Sequence, residues 1–504
     1  MSEAETPGGT SPSTDGMRRS LLYSFVEKNA SLLVTIASTV VLARLLTPAE
    51  TGAFSVAAAF INISQFLRDF GVASYILQER DLTAQRLRAA MGLSLSMGVV
   101  FFALFFVLSG PVAAFFNEPP LETVITVLSL NFLVVAVASI GTARLSRAMN
   151  YRTVSLINFA STVTFSVVSI TLATSGYGAL SIAWASVLGV VTILLGQIIA
   201  LRGNALIRPS LRGWRPLIHF GSFASGNGML TTLTQRCPDL LIGRLMGFAD
   251  AGLFSRGNSL ITLFESALLA SVRPVVANGL AALRRRGGDL DASLLQCYGN
   301  LTVVAWPFLT VLGLLAHPII LIMFGDQWLP SVPPARWLCV AALFGTITTI
   351  GAMAFTSVGA MRTLFSLQCV NVVLVVSLVT VGCFIGLRAV AMGVVVSSAL
   401  AALLSLHRIR ATFGVSITAL AKAMGRSLVV TAAASLPPLI VLTSWGFNGP
   451  HPWSPTLIAG LGAAAVWTAA VWGIGHPLWP ELRRLAPNRR SSAGVKAEQA
   501  AREA

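Results

Sequence analysis

A set of ionisable side chains interrupts otherwise apolar stretches of this 504-residue chain. The cations are Lys28, Arg68, Arg236, Arg256 and Arg273, and the anions are Glu27, Asp69, Asp239 and Glu265. Ionisable groups inside a bilayer are costly unless they face water or a partner, so such a set predicts a hydrated site. Because guanidinium forks match phosphate oxygens, the excess of cations favours a phosphorylated or otherwise anionic substrate.

Uncharged polar residues accompany these groups at helical spacing. At about 100° per residue, the first predicted helix gathers Glu27 and Lys28 with several Ser and Thr residues on one side, opposite Leu33. Three further predicted helices carry comparable stripes, and we interpret the four stripes as the wall of a central cavity. The candidate substrate-binding residues are Lys28, Arg68, Arg236, Arg256, Arg273, Glu27, Asp69, Asn62, Gln65, Asn227, Gln235 and Glu265.

A structural interpretation of the same residues stays open. Glu27, Lys28, Arg68 and Asp69 could pair near the cytoplasmic surface and tie helices together, while Ser and Thr serve helix packing. The residue types alone do not separate this alternative from substrate binding.

Enzyme signatures are absent from the sequence. It holds no Gly-rich phosphate loop with a lysine, no His and carboxylate pair at ligand spacing and no hydrolase nucleophile elbow. The five cysteines are an odd number without close pairs, which argues against disulfides and metal sites. We therefore predict no catalytic residues, no metal, no cofactor and no enzymatic activity.

The elements that must position the polar residues are membrane helices. The chain is 55% hydrophobic and 11% charged, and its mean hydropathy is +0.77. Apolar runs long enough to cross a bilayer recur from Leu21 almost to the C-terminus. We predict an all-α polytopic membrane protein with about 14 transmembrane helices, at approximately 20–43, 50–75, 89–109, 121–143, 153–174, 178–200, 217–242, 250–273, 293–315, 332–354, 362–384, 388–407, 426–445 and 456–475.

The distribution of positive charge predicts the orientation. The formal net charge of +16 would suggest a nucleic-acid partner in a soluble protein. Here most of the 35 Lys and Arg residues fall in every second segment between the predicted helices, as the positive-inside rule describes. We predict both termini in the cytoplasm and no nucleic-acid partner. The run Arg284–Arg286 is typical of an orientation signal.

An internal repeat divides the chain. Residues 44–55 are similar to residues 244–255: six positions are identical, and Glu50 becomes Asp250. Six predicted helices separate the copies, and an even number makes the repeat parallel. We therefore predict two parallel six-helix lobes, and the expected boundaries are 1–17 for a disordered tail, 18–205 and 206–410 for the lobes, 411–480 for a C-terminal helix pair and 481–504 for a basic tail.

Several short motifs carry a resemblance to a known family. They stand in a fixed order along the chain: Leu42-Ala43-Arg44-Leu45-Leu46 before Gly52-Ala53-Phe54, then Asp69-Phe70-Gly71-Val72-Ala73 before Ile76 and Gln78, then Arg273-Pro274, Phe324-Gly325-Asp326-Gln327-Trp328 and Cys339. With them the chain resembles the Wzx-type oligosaccharide flippases, especially the colanic acid exporter branch, within the multidrug/oligosaccharidyl-lipid/polysaccharide exporter superfamily.

This resemblance implies a function. It implies transport of polyprenyl-pyrophosphate-linked oligosaccharide units across a bacterial inner membrane for exopolysaccharide, O-antigen or capsule synthesis. The two parallel lobes predict alternating access through the cation-lined cavity. As further partners we expect a polysaccharide polymerase and export complex. The resemblance assigns no invariant site residue, so the candidate residues rest on the polar stripes.

Three alternatives were weighed. A multidrug cation antiporter of the same superfamily should carry a carboxylate at mid-depth, whereas Glu27 and Asp69 are predicted near the cytoplasmic face. A peptidoglycan-precursor flippase shares the favoured architecture. A membrane-embedded glycan polymerase or glycosyltransferase would need a sizeable soluble loop, and the longest predicted outside loops are only about ten residues.

Overall fold

Short turns break the apolar chain into helices. The computed structural model describes residues 14–69, 71–79, 82–202, 207–210, 215–265, 279, 290–444 and 453–480. The α-helices are α1 (Thr14–Leu45), α2 (Pro48–Asp69), α3 (Val72–Gln78), α4 (Ala84–Phe116), α5 (Pro120–Arg147), α6 (Tyr151–Thr174), α7 (Ala179–Ala200), α8 (Arg215–Leu245), α9 (Phe248–Phe264), α10 (Leu290–Leu314), α11 (Ala316–Phe324), α12 (Val332–Ser357), α13 (Met361–Cys383), α14 (Leu387–Phe413), α15 (Ile417–Ser444) and α16 (Trp453–Gly473), with a 3₁₀ turn at Asp326–Ser331.

The all-α, polytopic prediction is confirmed. Eleven helical segments of the described chain are long and apolar enough to cross a membrane, and each of the fourteen predicted helices has a counterpart. The number of spans stays a prediction, because α2, α8 and α9 are not among the eleven. Polar residues lower the mean hydropathy of α2 and α8, and α9 is described over only 17 residues.

The second predicted helix is too long. It was expected to reach residue 75, but α2 ends at Asp69. Gly71 adopts a left-handed conformation with φ of 63°, and α3 begins at the next residue. A right-handed helix cannot continue through such a residue, and glycine adopts it without steric cost.

The helices cluster into two compact units. The first contains Met1–Arg256, Met323–Pro330 and Val372–Val390. In it, α4 packs on α5, α6 packs on α7, α1 packs on α6, and α2 packs on both α5 and α8. A fully buried Phe132 on α5 lies 5.6 Å and 5.4 Å, between ring centroids, from Phe101 and Phe105 of α4.

The second unit contains Gly257–Ile322, Ser331–Asn371 and Ala391–Ala504. Here α10 is the central helix, with α12 on one side and α15, itself paired with α16, on another. Partly buried hydrogen bonds between side chain and backbone hold these helices to one another. Trp306 Nε1 of α10 donates to the Leu343 carbonyl oxygen of α12 at 3.1 Å, and Trp467 Nε1 of α16 donates to the Val303 carbonyl oxygen of α10 at 2.8 Å.

The predicted tails fall largely outside the described residues. Residues 1–13 and 481–504 are not described, and α1 begins at Thr14, inside the predicted N-terminal tail. The predicted lobe boundaries and the cytoplasmic orientation of the termini stay predictions.

Candidate functional site

The two copies of the repeat position the polar helices. α1 ends at Leu45 and α2 begins at Pro48, while α8 ends at Leu245 and α9 begins at Phe248. Each copy is therefore a helix, a two-residue turn and a second helix at the same offset along the chain. The sequence similarity thus corresponds to the same local structure in both copies.

Two glycines allow the copies to cross within the first unit. A Cβ atom added to Gly52 would overlap the carbonyl oxygen of Phe248, and one added to Gly252 would overlap the carbonyl oxygen of Pro48. Each copy thus presents its glycine to the first residue of the other copy's second helix. Glycine is required at both places because the backbones approach too closely for any side chain.

A serine pair continues this symmetry one turn further on. Ser55 Oγ and Ser255 Oγ are hydrogen-bonded at 2.8 Å. They occupy equivalent positions of the two copies, so equivalent residues meet each other, as they do about a local two-fold axis.

The polar face of α1 is open on one side. Lys28 is exposed and Glu27 is half-buried. Ser31 Oγ donates to Glu27 Oε1 at 3.0 Å, and Thr35 Oγ1 donates to the Ser31 carbonyl oxygen at 2.8 Å. Some polar side chains of this face therefore form hydrogen bonds within the helix. Of the two charged residues, Lys28 is the more exposed.

The polar faces of α2 and α8 are partly accessible. Asn62 and Gln65 on α2 and Asn227 on α8 are half-buried, and Gln235 is exposed. Asn227 Oδ1 is buried and has no hydrogen-bond partner among the residues that the structure describes. Buried polar atoms nearly always have a hydrogen-bond partner, so this amide oxygen is an unsatisfied acceptor inside the first unit.

Arg236 and Asp239 form a loose ion pair on α8. Arg236 Nη1 lies 3.8 Å from Asp239 Oδ2, and the two side chains are 42% and 7% exposed. The carboxylate is buried and the guanidinium remains accessible, so Arg236 offers further hydrogen-bond donors to a ligand.

Arg68, by contrast, is enclosed. It is 1% exposed, and its guanidinium carbon lies 6.0 Å from the ring centroid of Phe132 on α5. A cation enclosed against an aromatic ring of α5 contributes to the packing of α2 on α5 at this position.

Arg256 is also enclosed, between two rings of the first unit. Its guanidinium carbon lies 5.0 Å from the ring centroid of Phe324 and 4.7 Å from that of Trp328. Both aromatic side chains are fully buried. These contacts give Arg256 a packing role, and the sequence had no signal for it because the aromatic residues lie in a distant segment.

The same aromatic segment caps α1. Trp328 Nε1 donates to the Ala43 carbonyl oxygen at 2.7 Å, and Gln327 Nε2 donates to the carbonyl oxygens of Ala43 at 2.7 Å and Leu46 at 3.3 Å. Carbonyl groups at a helix C-terminus lack hydrogen-bond donors within the helix, and these two side chains provide the missing donors. Two of the motifs that carry the family resemblance, residues 42–46 and 324–328, are therefore in direct contact.

The remaining candidates are Glu265, Asp69 and Arg273. Glu265 is half-buried in the second unit. Arg273 and the side chain of Asp69 lie outside the described residues. The candidates on α1, α2 and α8 thus belong to the first unit, in which α2 packs on α8, while Arg68 and Arg256 are enclosed within it.

The described residues contain no cluster of metal-binding side chains. Within the described ranges, no three or more His, Cys, Asp or Glu side chains lie close enough to hold a metal ion. All five cysteines are present as free thiols.

A family model matches more than half of the chain. The model described as "Polysaccharide biosynthesis protein" matches residues 41–333. That range begins one residue before the motif at 42–46 and ends just after the segment that caps α1.

Curated relatives share low identity with this chain. The lipopolysaccharide biosynthesis protein WzxC of Escherichia coli (strain K12) is 22% identical over 317 residues, covering 61% of this chain and 63% of that protein. The succinoglycan biosynthesis transport protein ExoT of Rhizobium meliloti (strain 1021) is 22% identical over 315 residues, covering 62% and 64%. The matches therefore span less than two thirds of these relatives' own lengths.

Solved structures with a similar fold include two transporters. The lipid II flippase MurJ, in an inward closed conformation, gives a TM-score of 0.70 at 13% identity, covering 91% of this chain and 99% of that one. An inward-facing multidrug resistance MATE family transporter of the MOP superfamily gives 0.62 at 16% identity, covering 78% and 96%. At such identities the likeness concerns the fold.

Proposed function

The chain belongs to the polysaccharide biosynthesis protein family, and from that premise we propose that it is a flippase for polyprenyl-pyrophosphate-linked oligosaccharides. It carries these units across a bacterial inner membrane for surface polysaccharide synthesis, by alternating access through a cation-lined central cavity. The names of two relatives, a lipopolysaccharide biosynthesis protein and a succinoglycan biosynthesis transport protein, support this substrate class.

The observation that carries the proposal is the set of accessible polar side chains on membrane helices. Lys28, Asn62, Asn227, Gln235 and Arg236 are exposed or half-buried on α1, α2 and α8. Lipid tails cannot solvate such groups, so they face water or a polar substrate. A sugar chain offers many hydroxyl groups to Asn and Gln, which both donate and accept hydrogen bonds.

We assign the pyrophosphate to the accessible cations. Lys28 is a flexible point charge, and Arg236 is held near the buried carboxylate of Asp239 while its outer donors stay open. Arg68 and Arg256 are enclosed against aromatic rings, so we assign to them the support of the helices that carry the substrate-facing groups.

The repeat crossing supports a fixed point in the transport cycle. Gly52, Gly252, Ser55 and Ser255 form a close contact without long side chains that could change rotamer. Packed elements with two discrete arrangements move as rigid bodies about such contacts. The helices that extend from this crossing then move while the crossing itself stays closed.

The decisive experiment measures the sidedness of the lipid-linked glycan in a deletion strain. Intact and disrupted spheroplasts are compared for polyprenyl-pyrophosphate oligosaccharide, together with surface polysaccharide. We expect the glycan to be trapped on the cytoplasmic face and restored to the periplasmic face by the wild-type gene, but not by a gene encoding Lys28→Glu with Arg236→Glu.

Each alternative has its own outcome in this experiment. Unchanged polysaccharide with new drug sensitivity would indicate a multidrug cation antiporter. Accumulated peptidoglycan precursor with normal surface polysaccharide would indicate a peptidoglycan-precursor flippase. Co-purification of a polysaccharide polymerase and export complex with the wild-type protein would test the proposed partners.

A further inference from the structure

The second unit contains a basic pocket that the transport cycle above does not use. Its cavity of about 530 Å³ lies between α10, α15 and the segment that follows α16. The polar lining consists of Gln296, Asn300, Lys422, Arg426 and His476. None of the ten described lining residues carries a carboxylate, so the pocket offers cations and neutral hydrogen-bonding groups to an anion.

The two cations share one face of α15. Lys422 and Arg426 are four residues apart and both are exposed, so their side chains project in the same direction. Like charges at this spacing repel each other and destabilise a helix. An anion bound between them converts this repulsion into two charge-assisted hydrogen bonds.

The opposite wall is preformed. His476 is 1% exposed, and its Nδ1 accepts a hydrogen bond from the Leu478 backbone nitrogen at 3.2 Å. The proton of the neutral ring is therefore on Nε2, which lies 3.8 Å from the position that a Cβ atom of Gly299 would occupy. The absence of a side chain at Gly299 leaves space in front of this donor.

Hydrogen bonds beneath the pocket hold its walls together. Thr302 Oγ1 on α10 donates to Ser427 Oγ on α15 at 2.8 Å, and Ser427 Oγ lies 3.3 Å from the Gly299 carbonyl oxygen. Thr302 and Ser427 are fully buried. These hydrogen bonds hold α10 and α15 at a fixed spacing, so the walls of the pocket are held in place.

The pocket lies towards one end of the candidate membrane helices. The apolar spans begin at Asp291 on α10 and at Thr418 on α15, and the span on α16 ends at Gly473. The pocket residues on α10 and α15 lie in the first few turns of these helices, and His476 and Pro477 follow the end of α16. A helix rises about 1.5 Å per residue, so all of them are near the same end of the helices. Trp467 and Trp479 pack nearby, as aromatic side chains do at a membrane interface.

We propose that this pocket binds the phosphate group of an anionic membrane phospholipid. Lys422 and Arg426 pair with the phosphodiester oxygens, His476 Nε2–H donates to the same group, and the acyl chains lie along the apolar surfaces of the neighbouring helices. Basic pockets between membrane helices are established recognition sites for such headgroups. The lipid joins the C-terminal helix pair to α10 and is distinct from the substrate that is transported.

The test uses purified full-length protein in detergent micelles. The melting temperature is measured while phosphatidylglycerol, phosphatidylcholine with the same acyl chains, or inorganic phosphate is added. We expect saturable stabilisation by phosphatidylglycerol alone. In Lys422→Gln/Arg426→Gln the phosphatidylglycerol concentration that gives half-maximal stabilisation should rise about tenfold or more. The reason is that each cation near a lipid surface contributes binding free energy.

A matched control removes the same charge elsewhere. Arg408 and Arg410 are exposed at the end of α14, and Arg408→Gln/Arg410→Gln should keep the wild-type midpoint. Gly299→Leu should weaken phosphatidylglycerol binding by filling the cavity while leaving every cation in place. Normal gel-filtration profiles identify the variants that remain folded. Removal of the two cations and filling of the cavity at Gly299 are independent tests of the same pocket.

Several results would overturn the proposal. Equal losses in both double variants would indicate attraction to surface charge in general, and wild-type affinity in a folded Lys422→Gln/Arg426→Gln protein would exclude the pocket. Equal stabilisation by inorganic phosphate would make this a free-anion site. Displacement of phosphatidylglycerol by an equimolar polyprenyl phosphate would assign the pocket to the transported lipid.

Discussion

Ser55 Oγ lies 2.8 Å from Ser255 Oγ, a hydroxyl group 200 positions further along the chain, and the two serines occupy the same place in the two copies of the repeat. Together with Gly52 and Gly252, they make the crossing a contact between backbones. A contact of this kind can rearrange little, because the glycines have no side-chain torsion and the hydrogen bond between the two serines holds their side chains.

The first prediction concerns the glycines of this crossing. Gly52→Ala and Gly252→Ala should each destabilise the protein by about 1–3 kcal/mol, because the new methyl group overlaps a backbone carbonyl oxygen that cannot move alone. Thermal unfolding of the purified variants measures the effect. Gly345→Ala is the control: nothing lies within 4 Å of its Cβ position, so a melting temperature at or slightly above wild type is expected. Equal tolerance at all three positions would contradict the crossing.

The second prediction concerns the enclosed cation of the first unit. Arg256→Lys keeps the charge but loses the planar group between Phe324 and Trp328, and it should destabilise the protein by about 2 kcal/mol. Trp328→Phe keeps a ring but removes the donor to the Ala43 carbonyl oxygen, at a cost of about 1 kcal/mol. Melting temperature and membrane abundance are the measurements. If Arg256→Lys melted like wild type and lost only transport, Arg256 would be a substrate contact.

The third prediction concerns the accessible cations. Lys28→Glu should lower export of surface polysaccharide severalfold or more without changing the melting temperature, because its charge is solvent-accessible. Arg236→Glu should also lower export, but it places a second carboxylate beside the buried Asp239 and should therefore lower the melting temperature as well. Leu33→Ala is the control, since Leu33 is 68% exposed on the same helix as Lys28. Its export should match that of the wild type. Full export by both charge-reversal variants would remove these residues from the substrate path.

The fourth prediction concerns pH. Burial, and after it the charge of Arg426, lowers the pKa of His476 below its usual value. As pH falls, the histidine of the unfolded chain is protonated before that of the folded protein. The contribution of His476 to stability is therefore fully present above the ordinary histidine pKa of about 6.5. It is lost as pH falls from that value towards the lower pKa of the folded protein. Lys422 and Arg426 line the same pocket as the ring, and the charge of Arg426 opposes its protonation.

The melting temperature between pH 8 and pH 5.5 measures this effect. His476→Asn should flatten the decline relative to wild type, whereas His407→Asn, at an exposed position of α14, should not. Saturating phosphatidylglycerol should also flatten the wild-type decline, because a bound anion favours the protonated ring. A decline of equal size in His476→Asn would assign the pH dependence to other groups.

Much of the secondary structure followed from the sequence. The predicted helix at about 332–354 corresponds to α12 at Val332–Ser357, and that at about 178–200 corresponds to α7 at Ala179–Ala200. Such boundaries are readable because a bilayer demands a long apolar run and each turn interrupts it with polar residues, glycine or proline. The break at Gly71 was missed, since a single glycine in an apolar segment is compatible with either a bend or a continuous helix.

The candidate site was readable only in part. The polar stripes follow from helical periodicity, and Lys28 and Gln235 are accessible in the structure as a stripe predicts. The same periodicity placed Arg68 and Arg256 with them, although both are buried against aromatic rings. Periodicity defines a face of a helix, but it carries no information about which neighbour covers that face.

The sequence by itself determined an all-helical membrane protein with an internal repeat and the resemblance to its family, because hydropathy, helical period and repetition are properties of order along the chain. The tertiary structure alone decided that Gly52 meets Phe248, that Trp328 caps α1 at Ala43, and that Lys422, Arg426 and His476 line one pocket. These relationships depend on packing between segments far apart in the chain, where shape and unsatisfied hydrogen-bonding groups select the partners.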